Sequence, residues 1–284
     1  MRLIKGKPIA EQIDAATDEV TAALAEACTT PKLAIVVPTD DEATNWYVRS
    51  IMRSAEKRGI LCTVKDMPSA SLAQIIDCLE RLSDDPSVHG IICQTPLPPG
   101  VTLGQIGSSI SVHKDVDGAN PESMGRLVAG LPAFAPATAQ AVVTILLSED
   151  VPLSGANVVV LGRSMTVGKP AALLLLDQNA TVTICHSRSR DIPAVCRRAD
   201  VLVAAVGRAN LVGAEHVGPN AIIIDVGTNP TETGGLVGDV DQDAVEQQAA
   251  ALTPVPGGVG VVTTALLLRN VVTAAARLSE LTLG

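Results

Sequence analysis

Aromatic side chains are almost missing: one Phe, one Trp and one Tyr occur in 284 residues. The interior must therefore be aliphatic, and the 47% hydrophobic content is enough to bury a substantial core from Val, Leu, Ile and Ala. Two of the three aromatics, Trp46 and Tyr47, are adjacent, and chance placement in a core is the bland reading of that pair, to be weighed against a functional one. Cations are the minority charge, 21 Lys and Arg against 30 Asp and Glu, for a net charge of −9. No basic block offsets this, so a phosphate backbone is repelled and nucleic acid is not an expected partner. The six cysteines form no CxxC pair and match no zinc spacing, so no metal site is expected. They read as reduced, mostly buried thiols of a cytoplasmic protein. Long apolar runs are also lacking: residues 171–176 fall far short of a membrane span. The opening stretch, residues 1–8, has no apolar segment of the secretory kind. A soluble protein is expected.

What is present is an alternation of strand-like and helix-like segments. Helical spacing over residues 9–27 precedes a β-branched run at 33–37. Residues 44–57 predict a helix closed by Gly59, with Asp41 or Thr44 as N-cap. A strand at 62–64, a helix at 72–82 and a buried strand at 90–93 follow, the last stopped by Pro96 and Pro98. A second series begins near Thr138, with a helix at 139–147 and apolar strands at 157–161, 181–185, 201–206 and 222–226. A final helix is expected over 265–281. This order predicts an α/β protein with parallel sheets, its second half doubly wound in the manner of dinucleotide-binding domains.

The second series holds the strongest local signal. The strand at 157–161 runs into Gly162-Arg163-Ser164 and then, through Val167 and Gly168, into a helix. Backbone N–H groups at such a helix start can hold a pyrophosphate, and glycine lets it approach closely. The spacing is not GxGxxG, so an ordinary βα turn is the competing reading. NAD-preferring enzymes usually place a carboxylate after the next strand. Here that strand is followed by His186-Ser187-Arg188-Ser189-Arg190, with no carboxylate before Asp191. Arginine forks pair well with phosphate, so this loop and Arg163 favour NADP, a solvated basic loop being the alternative. Two further stretches would identify nothing unaided. Lys114-Asp115-Val116-Asp117-Gly118 sets two carboxylates beside a glycine turn, and residues 253–260 form a Pro/Gly-rich loop.

Taken together, these segments become specific. Tyr47-Val48, Gln94-Thr95-Pro96-Leu97-Pro98, Lys114 to Gly118 with Pro121 and Gly125-Arg126-Leu127, Gly162-Arg163-Ser164 with Val167-Gly168 and Pro170, Asp225-Val226-Gly227 and residues 254–260 occur in one order. In that order, from residue 4 to about 272, the chain resembles the methylenetetrahydrofolate dehydrogenase/cyclohydrolase family. The resemblance implies two α/β domains with a cleft between them, commonly in a homodimer. One would be a folate-binding, catalytic domain of residues 1–136 plus 265–284, to which the C-terminal helix returns. The other would be a Rossmann-like NADP-binding domain of residues 137–264. It implies oxidation of 5,10-methylenetetrahydrofolate with NADP, then hydrolysis of the methenyl product to 10-formyltetrahydrofolate. By resemblance, Tyr47 stacks on the folate's aminobenzoate ring, Gln94 sits beside a catalytic lysine and Asp117 binds the pterin. Cys93, Thr95 and the stretch Pro256, Gly257, Gly258, Val259 and Gly260 complete the substrate surface. Gly162, Arg163, Ser164, Val167, Gly168, Ser187, Arg188 and Thr228 line the nucleotide.

The pattern breaks at one decisive place. The family has lysine four residues after the tyrosine, and this chain has Ile51. Two other cations, Arg53 and Lys57, lie nearby, and the pitch of the helix points them away from the Tyr47 face. Further departures are Ala137, Ala139 and Gln140 where the family has Cys, Pro and a basic residue, Val261 for Pro, and no glycine at 37–39. The expectation is a dehydrogenase with weak or lost cyclohydrolase activity. The alternatives are a fully bifunctional enzyme using another group, or a catalytically silent binding paralogue.

Overall fold

The computed structural model describes residues 1–231 and 234–281. The chain forms two compact units, Met1–Glu11 with Thr138–Thr263, and Gln12–Ala137 with Thr264–Gly284. We call them the Gly162 unit and the Tyr47 unit after one residue of each. In chain order the strands are β1 (Arg2–Leu3), β2 (Lys32–Val37), β3 (Leu61–Asp66), β4 (Gly90–Cys93), β5 (Asn157–Leu161), β6 (Thr181–Cys185), β7 (Val201–Ala204) and β8 (Ile222–Asp225). They are followed by β9 (Asn229–Pro230), β10 (Leu236–Val237) and β11 (Ala251–Leu252).

The Tyr47 unit is built on a parallel sheet of order β3-β2-β4. Strand β2 is central and buried on both faces, which its unbroken Leu33-Ala34-Ile35-Val36-Val37 run requires. One face packs against Ile75, Leu79 and Leu82 of helix Leu72–Asp84. The other packs against Val48, Ile51 and Ala55 of helix Glu42–Glu56 and the end of helix Val259–Leu278. Helix Leu72–Asp84 opens on the capping box that Ser71 and Gln74 supply, and helix Glu42–Glu56 opens on Asp41, whose carboxylate accepts the Thr44 N–H at 2.8 Å.

The Gly162 unit carries an all-parallel sheet of order β1-β11-β8-β7-β5-β6. From β5 the chain goes to β6 on one side and then to β7 on the other, so the topological switch lies at the carboxyl ends of β5 and β7. In doubly wound sheets that is where ligands bind.

Several expectations need correction. Residues 1–11 were expected with the catalytic domain but belong to the Gly162 unit. The N–H groups of Arg2 and Ile4 bond the carbonyls of Ala250 and Leu252, adding β1 to the larger sheet. A strand of two residues leaves no side-chain periodicity to read, although the Arg2 side chain also pairs with Glu149 of the same unit. The final helix starts at Val259, not 265, because its apolar positions continue inward from Val259 and Val262 and Gly260 meets nothing that forbids a helical turn. That helix is long and apolar enough to cross a membrane, with mean hydropathy 1.6, so apolar stretches are not all short. Most of its length is buried within the fold, which marks it as a core helix. The thiols are free, but only Cys185 and Cys196 are buried, while Cys28 is exposed. Cys28 lies just past a helix end in the left-handed region, and Cys62 sits on the edge strand β3. Trp46 does not share a core with Tyr47: it is 54% exposed, whereas Tyr47 is half-buried against the cluster around Ile51.

Candidate active site in two parts

In the Tyr47 unit the candidate residues come from three places at the carboxyl edge of the small sheet. Helix Glu42–Glu56 buries Thr44, Val48, Ile51 and Ala55 along one stripe. The Thr44 hydroxyl lies 2.9 Å from the Thr95 carbonyl oxygen, which ties the helix start to the loop after β4. That loop holds Gln94, whose N–H donates to Val36 of β2, and a cis Thr95–Pro96 bond. Cys93 is the last residue of β4 and half-buried, and burial pushes its thiol up to about 12.

Tyr47 stands one turn before Ile51 on the same helix face. Burial pushes its phenol up to about 12, and the negative charge of Asp117 adds to this. A hydrogen bond with the Thr264 side chain acts in the opposite sense. Thr264 is a partner that no local pattern announces, since it arrives from the last helix. Asp117 is pushed up to about 6, first by burial and then by Asp115, although its carboxylate accepts the Ala137 N–H at 3.1 Å. No cation pairs with it among the described residues. The two carboxylates of the Lys114 to Gly118 stretch therefore differ in role. Asp115 is wholly buried and accepts the N–H groups of Ala119 and Asn120 and the Ser123 hydroxyl, so it shapes the loop. Asp117 keeps acceptor capacity. Gly118 has φ +62, and a Cβ there would lie 2.6 Å from the Pro136 ring, so the turn presenting Asp117 admits only glycine.

Ile51 itself is 0% exposed, in a cluster with Leu33, Ile35, Val37, Val48 and Ala55. Arg53 and Lys57 are exposed on the opposite side of the helix, as their spacing predicts. No cation of this helix lies on the buried stripe.

In the Gly162 unit the candidates gather at the switch point. Gly162 follows β5 with φ +130, and a Cβ there would lie 2.1 Å from the Ala205 carbonyl oxygen. The Ser164 hydroxyl accepts the N–H groups of Val167 and Gly168 at 3.1 and 3.3 Å, shaping the start of helix Gly168–Asp177. Beyond β6, the loop closes on itself through the His186 N–H and the Ser189 hydroxyl at 3.0 Å. Ser187, Arg188 and Arg190 are left exposed, as is Arg163 after β5. None of these arginines is ion-paired among the described residues. Thr228 is exposed at the end of β8. The 256–260 stretch contains a cis Val255–Pro256 bond, exposed Pro256 and Gly257, and buried Gly258. Val259 and Gly260, expected in a loop, form the first turn of helix Val259–Leu278. Such an edge offers a helix start and exposed cations, features that suit a dinucleotide phosphate.

Two sequence profiles match the chain, the catalytic domain of tetrahydrofolate dehydrogenase/cyclohydrolase over residues 4–117 and its NAD(P)-binding domain over residues 136–279. The chain belongs to this family. Among its relatives, bifunctional protein FolD 1 of Saccharopolyspora erythraea is 57% identical over 263 residues, covering 91% of this chain and 90% of that protein. The solved structure of the bifunctional FolD dehydrogenase/cyclohydrolase of Campylobacter jejuni matches at TM-score 0.93 and 36% identity, covering 98% and 99% of the two chains. The Trypanosoma brucei dehydrogenase-cyclohydrolase, solved with NADP and an inhibitor, matches at TM-score 0.91 and 34% identity over 97% of each chain. Family membership makes the Gly162 unit an NAD(P)-binding domain and gives the whole chain the two-domain α/β fold expected from its sequence.

Proposed function

We propose that this protein oxidises 5,10-methylenetetrahydrofolate to the methenyl compound with NADP, and that its capacity to hydrolyse that product is weak or lost. The relatives' names support the first half, and the NADP bound in the Trypanosoma structure supports the nucleotide. The exposed, unpaired Arg163, Arg188 and Arg190 favour the phosphate-bearing form. A cytoplasmic homodimer is part of this reading. The observation behind the second half is Ile51, a hydrocarbon side chain wholly buried one turn from Tyr47.

The two reactions make different demands. Removing a hydride from the methylene carbon leaves an amidinium cation, shared between the flanking nitrogens. That step needs proximity and orientation and no proton transfer by a side chain. Tyr47 supplies an aromatic face, held by its bond with Thr264, and Asp117 an acceptor for the pterin's N–H groups. Hydrolysis must deprotonate water and protonate a departing ring nitrogen. Tyr47, with a phenol near 12, gives up its proton poorly at neutral pH, and Ile51 has none to exchange. Gln94 has no acid–base chemistry.

The direct test supplies the methenyl compound and follows its decay with and without enzyme. Decay within a few-fold of the spontaneous rate is expected, and robust enzyme-dependent hydrolysis would sink the proposal. A parallel assay offers methylenetetrahydrofolate with NADP and then NAD, following the reduced nucleotide. No signal with either would favour a silent binding protein.

A pH profile tests Asp117. Its pKa is raised, so the carboxylate is protonated and useless as an acceptor below about 6 and becomes functional above it. The dehydrogenase kcat/KM should climb from pH 5 to pH 7 with a midpoint near 6. Asp225 is also pushed to about 6 by burial, so attribution requires a variant. Asp117→Asn should lower the rate and flatten the climb, while an unchanged profile would remove Asp117 from the pterin.

A further inference from the structure

One polar cluster of the Gly162 unit centres on Asp239, a residue given no role above. Asp239 is 0% exposed. One of its carboxylate oxygens accepts the N–H groups of Val206 and Gly207 at 2.6 and 3.0 Å. The other accepts the Arg208 N–H at 2.8 Å and the Asn229 side-chain amide at 3.0 Å. Three consecutive backbone donors converging on one point form an anion nest, and here the chain fills the nest with its own carboxylate. Asp239 is fixed in turn by Asp225, whose carboxylate accepts the N–H groups of Asp239, Gly227 and Val240 at 2.9, 2.9 and 3.0 Å. No Lys, Arg or His is ion-paired with either among the described residues. Backbone and amide donors hold the two carboxylates, and the Thr253 hydroxyl accepts the Asp225 N–H at 2.8 Å.

The position of this cluster gives it meaning. Residues 206–208 follow β7, and residues 227–229 follow β8, at the carboxyl edge of adjacent strands. The first loop begins one residue after Ala205, whose carbonyl faces Gly162, and the second contains Thr228. Asp239 bonds both loops at once.

We infer that Asp239, backed by Asp225, is the positioning residue that pre-shapes the 206–208 and 227–229 loops for the nucleotide. The inference rests on the reading above that NADP occupies this edge. Four donors saturate the carboxylate, so it has no free lone pair for a ligand and acts only through the loops. Without it the three N–H groups lose their common acceptor, and the loops must be ordered when the nucleotide binds, which reduces affinity by the fraction pre-shaped.

The experiment compares NADP affinity by calorimetry, and KM and kcat, in the unsubstituted protein, Asp239→Asn and Asn229→Ala. An asparagine turns an amide NH₂ toward backbone N–H donors, whereas Asn229→Ala removes one of the four bonds to Asp239, with the amide's 3.3 Å bond to the Val237 carbonyl, and leaves the buried carboxylate intact. Asp239→Asn should weaken NADP binding and raise its KM roughly 10- to 100-fold, with kcat at saturating nucleotide within about threefold. Asn229→Ala should act in the same direction by roughly 3- to 10-fold and covers the case in which Asp239→Asn does not fold. Folate binding, read from the fluorescence of Trp46 in the other unit, should be unchanged in both. A purely structural role would lower melting temperature and active fraction without moving the affinity of the folded molecules. Unchanged NADP affinity in both variants overturns this assignment and leaves the proposed function standing. Failure of the unsubstituted protein to bind NADP overturns both.

Discussion

Replacing Ile51 by lysine should raise methenyl hydrolysis by about 10²–10⁴-fold, the usual worth of a positioned acid–base group. Isoleucine at this place is wholly buried on the Tyr47 face of helix Glu42–Glu56. A lysine stem can follow the same apolar surface while its head reaches past the tyrosine toward polar surroundings. Partial burial would lower the ammonium pKa toward neutrality, where proton transfer in both directions is fastest. Exchanging a packed side chain for a partly desolvated cation should also destabilise the unit by on the order of 2–3 kcal/mol. Hydrolysis should therefore rise as melting temperature falls, a combination that improved folding cannot produce. Ile51→Met is the control, because it keeps volume without adding a proton and should leave hydrolysis at the background rate. Methylenetetrahydrofolate oxidation should change little in either variant. If Ile51→Lys folds and still hydrolyses nothing, the missing lysine is not what limits this enzyme.

That argument separates what the sequence made legible from what it did not. Strands β4, β5 and β6 match their predicted bounds to the residue, since each is a run of β-branched or apolar residues flanked by glycine, proline or polar turn residues. The buried stripe around Ile51 was legible for the same kind of reason, as was the outward direction of Arg53 and Lys57. Strand β1 left no such mark. Its two residues are exposed and join the sheet through backbone bonds, so no side-chain pattern could assign residues 1–11 to the correct unit. The start of helix Val259–Leu278 was hidden by glycines that read as loop. In the site, Tyr47, Gln94 and Asp117 stood out only through ordered resemblance, because each alone is unremarkable. Thr264, Asp225 and Asp239 matter through partners far away in sequence or through backbone donors in turns, and neither leaves a signature in residue spacing.

Gly162→Ala should weaken NADP binding more than tenfold and destabilise the protein by about 2–4 kcal/mol. Two independent obstacles meet at this position. The backbone has φ +130, a region that side chains with a Cβ rarely occupy, and the Cβ would lie 2.1 Å from the Ala205 carbonyl oxygen. That oxygen is backbone, and Ala205 is itself held by its N–H bond to Leu161 at 2.8 Å, so neither partner has a rotamer by which to yield. Relief requires β5 and β7 to separate at their carboxyl ends, which displaces the loops expected to receive the pyrophosphate. Gly104→Ala supplies the contrast. It lies in helix Leu103–Ile106 with open space where its Cβ would go, so it should be neutral or slightly stabilising. Folate binding, read from the fluorescence of Trp46, should survive Gly162→Ala because the damage lies in the other compact unit. A Gly162→Ala protein that binds NADP with unchanged affinity would place the nucleotide somewhere other than the β5–β7 edge, and the roles given to Gly162, Ser164 and Asp239 would fall with it.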